Sequence, residues 1–416
     1  MKVKEQNVPV LRFPGFEGEW GKNKLENIAD LIGGYAFPSL RMTRIKSCFQ
    51  VIKMSNLYGG ILDLERNASY LETINSSEEK FRIRDKDILL SLTGTVGKRD
   101  FGYTVLIVQP HNLYLNQRVG LLRVNQESNA TFLSSLTKTD KFQKKFHALA
   151  IGGTGNQANV SLVDCRKLFF RFPSLPEQQK IASFLTAVDS KIEQLSKKKA
   201  LLEQYKKGMM QKLFSQELRF KDEQGNEFPD WEEKRLGEIC EVKRGASPRP
   251  ISSPKWFDND SEIGWVRISD VTKSTKYLKK TTQYLSNEGI KKSRLVTKGN
   301  MIMSICATIG KPIYTDFDVC IHDGFVVFDG LTAKKEYLFY HLEFIQKRWY
   351  RYGQPGTQVN LNSKIVSNEI MPLPCSEEQR KIASFLSSID KKINLISTEL
   401  NHAQSFKKSL LQQMFI

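Results

Sequence analysis

The chain is poor in histidine. Its five (His111, His147, His322, His341 and His402) fall at no position that recurs when the sequence is compared with itself, which excludes a duplicated histidine-based active site. Six cysteines (Cys48, Cys165, Cys240, Cys306, Cys320 and Cys375) stand far apart, with no Cys-x-x-Cys pair and no histidine at zinc spacing. No stretch reaches the roughly 18 apolar residues of a membrane helix, and the N-terminal "MKVKEQNVPVLRFPGF" lacks the apolar centre of a signal peptide. A reduced, cytoplasmic protein is expected, with no membrane association, cofactor or metal. A Gly-x-Gly-x-x-Gly after a strand, an "NPPY" amino-methyltransferase motif and a Ser/His/Asp arrangement above chance are also missing. Catalysis by this chain itself is not expected.

Two near-motifs fail on inspection. "FPDWEEKRL" places Pro229, Asp230, Glu232 and Lys234 in a compressed imitation of a metal-dependent nuclease pattern, but such carboxylates must stand on adjacent strands to share a cation. "GTVGKRD" and "ATIGKPI" echo a phosphate loop, yet positions 92 and 305 are Leu and Ile where glycine is needed, and Arg99 and Pro312 replace the Ser or Thr.

Positive charge, by contrast, is in excess: 63 Lys and Arg face 45 Asp and Glu, a formal charge of +18. Such an excess draws polyanions, so nucleic acid is the first candidate partner, and a merely basic soluble protein is the alternative. A membrane surface fits less well, because the cations are dispersed among several segments.

At 416 residues the chain exceeds what one hydrophobic core supports. The sequence shows how it divides. Glu177 to Ser215 recurs as Glu378 to Ile416 at a constant offset of 201, with 16 of 39 pairs identical. Upstream, "GNQANVS" meets "GTQVNLN", pairing Gly155 with Gly356, Gln157 with Gln358 and Asn159 with Asn360. "DILLSLTGTVGK" meets "NMIMSICATIGK" at offset 213, "VIKMSNL" meets "WVRISDV" at 214, and "WGKNKLENIADLIGG" meets "WEEKRLGEICEVKRG" at 211. Drifting offsets mark loop insertions in a shared fold. A period near 200 is too long for a solenoid. Each half carries many short β-type runs and few helical stretches, which predicts α+β domains, and the polar, turn-rich "LRFKDEQGNEFPD" marks the boundary between them.

The repeated segments read as long helices with a 3,4-spaced apolar seam. It runs through Ile181, Leu185, Val188, Ile192, Leu195 and Leu202 in the first, interrupted at Lys199 and Lys206, and through Ile382, Leu386, Ile389, Ile393, Ile396 and Leu400 in the second. Sustained spacing of this kind is a coiled-coil signature, favoured here over two helices each packed on its own domain by the matched lengths and seams. The expected division is 1–170 and 218–371 for the globular domains, with 171–217 and 372–416 for the helices.

Two variable domains, each followed by a near-copied helix introduced by "LPEQQKIASFL" or "EEQRKIASFL", with "G.Q.N" strings upstream and "DILLS…GTVGK" paired with "NMIMS…ATIGK", resemble the specificity (S) subunit of type I restriction-modification systems. The resemblance covers nearly the whole chain. It implies two pseudo-twofold-related target recognition domains, each reading one half of a split DNA sequence, and an antiparallel coiled coil acting as a ruler. It further implies two flanking modification (M) methyltransferase subunits and restriction (R) subunits, which carry the methyl transfer and the ATP-driven cleavage. A helix of 39 residues spans about 58 Å, enough to hold two domains about one DNA turn apart.

Double-stranded DNA is then the expected ligand. Candidate contacts are the equivalent pairs Lys53 and Arg267, and Lys98 and Lys311, with Arg44, Lys46, Arg99, Arg244, Arg249, Lys273 and Lys276 in nearby loops. Lys98 and Lys311 lead, because the glycine before each permits close backbone approach. Gln157, Asn159, Gln358 and Asn360 suit adenine reading, but suit domain-to-helix hydrogen bonding equally. M-subunit contacts are placed on the outward helix faces and on the "LPEQQ" and "EEQRK" segments. A stand-alone DNA-binding regulator or architectural protein, and a fused nuclease, are the competing functions.

Overall fold

A computed structural model describes residues 7–152, 156–352 and 361–416. Gly155, Gly356, Gln358 and Asn360 lie outside them. The chain separates into two compact units, Met1–Lys197 with Thr398–Ile416, and Lys198–Ser397. Each unit thus owns one end of each long helix, Leu175–Phe214 and Ser376–Gln413.

In the first unit, strands Ala29–Gly33, Val119–Val124, Ile88–Ser91 and Thr104–Leu106 form an antiparallel sheet in that order. A smaller sheet joins Tyr70–Leu71, Phe49–Ile52 and Leu113–Leu115, the last pair parallel. The second unit repeats the plan: Glu241–Arg244, Phe325–Asp329, Met301–Ser304, Pro312–Thr315 and Tyr277–Leu278 form one sheet. Gln283–Tyr284, Gly264–Val266, Val319–Ile321 and Arg294–Val296 form the other. The repeated "DILLS" and "NMIMS" runs are central strands of the first and second units, buried on both faces, which explains why they are apolar throughout and do not alternate.

The helices enter the cores of these units. In the first, Ile181, Ala182 and Leu185 from the start of one helix pack with Leu410, Met414 and Phe415 from the end of the other, around Trp20, Phe132 and Phe172. In the second, Met210, Leu213 and Phe214 pack with Ile382, Leu386 and Ile389 around Leu236, Tyr337 and Met371. In both units a helix start therefore meets a helix end, so the pairing is antiparallel. All twelve seam positions are buried or half-buried, while Leu201, Tyr205, Leu395 and Phe406 are exposed on the same helices.

Lys206, which interrupts the seam, has a polar partner across it: its ammonium sits 2.8 Å from Asp390 and 2.8 Å from Glu343. Its repeat counterpart Lys407 pairs with Asp189, the counterpart of Asp390. Along this register each step forward in one helix is an equal step back in the other. A buried ion pair inside an apolar seam favours one register over slipped ones, in which the charge lacks its partner.

Candidate nucleic-acid interface

The joint between domain and helix is built the same way twice. Glu177, fully buried, accepts two hydrogen bonds of 2.8 Å from the Arg12 guanidinium and one of 3.3 Å from the Trp20 indole. Glu378 accepts from Arg219 at 2.8 and 3.3 Å and from the Trp231 indole at 2.8 Å. Next to each glutamate a buried glutamine closes the joint. Gln178 accepts the Asn129 amide and donates to the Pro173 carbonyl; Gln379 accepts the Lys334 amide and donates to that of Pro374. These carboxylates and amides are therefore occupied internally, which leaves the other residues of the "LPEQQ" and "EEQRK" segments for the expected partner contacts. Arg12 and Arg219 escaped the sequence reading. Their signal was the repeated "RF" ahead of each domain's first tryptophan, whose phenylalanines pack edge-on against Phe184 and Phe385.

Beyond the joint, each unit carries a chain crossing that admits only glycine. A Cβ on Gly34 would lie 2.0 Å from the Asn116 carbonyl oxygen, and one on Gly245 would lie 2.1 Å from that of His322. After each crossing comes a loop without a carboxylate, 35–48 in the first unit and 246–257 in the second. Arg44 and Lys46 are exposed on the first. Arg249 is exposed on the second, 3.4 Å from Asp323, whose backbone carbonyl also accepts Nε of the exposed Arg244 at 2.8 Å.

The "GK" turns behave differently in the two units. In the first, the Asp100 carboxylate accepts the Thr95 amide at 2.8 Å and its hydroxyl at 2.7 Å, which holds the carboxyl below its usual range and tightens the turn. Gly97 has φ +75° in open space, and Lys98 and Arg99 stand exposed at the rim of a cleft of about 300 Å³. In the second, Gly310 has φ +71°, and a Cβ there would come 2.1 Å from the indole ring of Trp349. Lys311 turns inward and donates to the carbonyls of Val271, Thr272 and Ser274 at 2.8, 3.3 and 2.6 Å, capping the last turn of helix Ile268–Lys273. Burial lowers its pKa. With its three donors occupied, Lys311 leaves the set of phosphate contacts and becomes the support of exposed Lys273.

Lys276 leaves it too. Its side chain is only 13 % exposed, lies 4.4 and 4.9 Å from the Tyr340 and Phe339 ring centres and 3.8 Å from Asp390, and burial lowers its pKa. Lys53 and Arg267 are intermediate. Each starts a helical turn capped by a side chain three residues on, Asn56 or Asp270. The Lys53 ammonium, its pKa lowered by burial and then by neighbouring Arg44, donates to the Ser69 hydroxyl; Arg267 Nε donates to Gln283 at 2.7 Å. Gln157 and Asn159 lie in a strand paired with Thr93–Thr95, beside the Lys98 turn. Asp230 is fully exposed with Arg219 at 3.7 Å, and Lys234 pairs with Glu232 at 2.8 Å. Among the described residues no cluster of carboxylate, histidine or cysteine fit to hold a metal is found.

A duplicated α+β domain, presenting exposed cations on loops held by a fixed core and joined through a buried carboxylate to a long helix, defines a polyanion reader. Comparison with known proteins makes that specific. The family described as the type I restriction modification DNA specificity domain matches residues 17–204 and 229–404, and the chain belongs to it. It is similar to the type I restriction enzyme EcoBI specificity subunit of Escherichia coli (22 % identity, 98 % of this chain and 90 % of that one). It also resembles the MjaVIII specificity subunit of Methanocaldococcus jannaschii (28 % identity, 65 % and 66 %). Its fold matches the crystal structure of a type I restriction-modification S subunit from M. genitalium with a TM-score of 0.62, at 18 % identity over 98 % and 99 % of the two chains. The protein is thus a non-catalytic specificity subunit that recognises DNA targets, and methylase and nuclease activity belong to the complex.

Proposed function

We propose that this subunit reads a bipartite DNA target, one half with each globular domain (1–170 and 218–371), while the paired helices (171–217 and 372–416) set the unread spacer. The observation that carries this reading is the meeting, in each unit, of one helix's start with the other's end. A repeat whose two helices pair antiparallel within each unit suits the dyad symmetry of duplex DNA. Exposed Arg44, Lys46, Lys98, Arg99, Arg244, Arg249 and Lys273 supply phosphate contacts and steep salt dependence, with Lys53 and Arg267 behind them. Two modification subunits dock on the outward helix faces, where the repeat-equivalent Tyr205 and Phe406 are about half exposed, and restriction subunits join that complex. A solved structure concerned with complex assembly of the type I restriction-modification system shares this fold with a TM-score of 0.58, in keeping with an assembled role.

Inserting four residues after Lys199 adds about 6 Å of helix. The expected result, read by sequencing methylated DNA from cells carrying the system, is a longer spacer between unchanged half-sites. Unchanged spacing with full activity rejects the ruler. A purified chain that binds its target tightly as a lone monomer favours the stand-alone regulator instead.

A further inference from the structure

The 35–48 loop of the first unit presents two apolar side chains to solvent. Leu40 is 100 % exposed and Ile45 is 80 % exposed, yet the loop around them is fixed at several points. Phe37 is buried with Val51, Leu71 and Tyr114, and Met42 packs on the same cluster. The Arg41 amide closes a turn on the Pro38 carbonyl at 3.0 Å, and its guanidinium grips buried Glu78 at 2.6 and 3.1 Å and the Thr73 carbonyl at 3.0 Å. Thr43 exchanges both backbone hydrogen bonds with Tyr70, at 3.0 and 2.9 Å. Leu40 stands in the turn between the buried ring and the gripped guanidinium, so its place is set before any ligand arrives.

The equivalent loop of the second unit exposes no large apolar side chain. Trp256 is buried there, and Ile251 and Phe257 pack on the same cluster with Trp265 and Leu285. The fold therefore allows this loop to keep its apolar residues inside. The first unit instead holds a leucine outward, on a loop with three cations and no carboxylate, in a family that recognises DNA. A surface of that charge fits a polyanion better than a protein partner. In the DNA major groove the apolar feature is the 5-methyl group of thymine.

We infer that Leu40 is a specificity-determining residue, reading a thymine methyl in the half-site recognised by the first unit, with Arg44 and Lys46 on the flanking phosphates. This rests on the proposed reading of two half-sites by two domains. Its rigid mounting means that little ordering cost opposes the contact on binding.

The test uses the complex purified with its own partner subunits and a pool of randomised duplexes. Wild type is expected to enrich a split sequence with a thymine in one half, and replacing that thymine by uracil should weaken binding about fourfold, the ratio one buried methyl supplies. Leu40→Ala should lose both the thymine preference and the uracil penalty and keep the other half-site intact. Because Leu40 is fully exposed, the substitution removes no packed contact. The same consensus and the same penalty in Leu40→Ala overturn the inference, as does an equal loss of affinity for every duplex. Intact DNA selection with failed copurification of the partners also overturns it and assigns Leu40 to a protein contact. A wild-type complex that enriches no split sequence overturns the two-domain reading itself.

Discussion

The two units follow one plan and differ where their cores carry polar groups. The helices opening at Asn129 and Lys334 are anchored alike by Gln178 and Gln379, and Phe132 and Tyr337 occupy the same place against Phe415 and Phe214. Four residues further on, the first unit has fully buried Leu136, whereas the second has His341, equally buried, with neither ring nitrogen hydrogen-bonded. The seam lysines differ similarly. Asp189 is half exposed beside Lys407, but Asp390 is 17 % exposed and also accepts the Tyr340 hydroxyl at 2.6 Å. One architecture thus tolerates an apolar or a polar interior, and the polar version depends on more partners staying in place.

The largest effect is expected at what the units share. Glu177→Ala removes the buried carboxylate from Arg12, which keeps the Glu17 and Gly18 carbonyls, and Glu378→Ala removes it from Arg219, which keeps the Phe228 and Pro229 carbonyls and exposed Asp230. Removing one partner of a buried ion pair costs about 3–5 kcal/mol. Trp20 is the only one of the five tryptophans in the first unit and bonds Glu177 directly. Its fluorescence should report early unfolding in Glu177→Ala and stay native-like in Glu378→Ala; simultaneous loss in both variants would show that the joints are not separate.

His341 separates the units by pH. Burial, with a smaller contribution from Arg348, pulls its pKa down to about 3, so the folded protein keeps the imidazole neutral. Above about pH 6.5 both states are neutral and nothing is lost. Below it the unfolded chain takes up a proton that the folded one refuses, and stability falls by about 1.4 kcal/mol per pH unit until about pH 3. By pH 4 the second unit should have lost about 3 kcal/mol. Urea midpoints measured between pH 7 and 4 check this. His341→Leu, which installs the residue the first unit already has, should remove that slope and add about 1–3 kcal/mol at pH 7, because an unsatisfied buried polar group disappears. A slope unchanged by His341→Leu assigns the acid sensitivity elsewhere.

Much of this plan was legible in the chain. The repeat gave the duplication, apolar runs such as "DILLS" gave central strands, and the 3,4 spacing located a helix pair whose seam positions are all buried or half-buried. What sequence concealed was the direction of individual long side chains. Lys98 and Lys311 occupy matching "GK" positions, but Trp349 and the end of helix Ile268–Lys273 stand beside only the second, and nothing local to either motif encodes that neighbour. Lys206 looked like a flaw in a heptad because its partners, Glu343 and Asp390, are far along the chain. Arg12 and Arg219 were missed for the same reason.

The seam aspartates sharpen the contrast at smaller scale. Asp390→Asn leaves Lys206 with Glu343 alone and weakens the bond to Tyr340, which should cost about 2–3 kcal/mol. Asp189→Asn acts on a half-exposed pair and should cost under about 1 kcal/mol. Denaturant midpoints of the two variants decide it, and equal costs would mean that the added partners in the second unit contribute nothing.

The smallest effect on stability should come from the exposed member of the "GK" pair, where function carries the difference. Lys98 is exposed at its turn, so Lys98→Ala should leave the unfolding midpoint in place. In the assembled complex it should flatten the dependence of log affinity on log salt by about 0.9, the value for one phosphate contact. Lys311→Ala should reverse the pattern, lowering the midpoint because three carbonyls lose their donor while the salt slope changes only as far as Lys273 shifts. A slope lowered equally by both variants would mean that the Lys311 ammonium leaves its carbonyls for a phosphate when DNA binds, and that the two units use their "GK" turns alike after all.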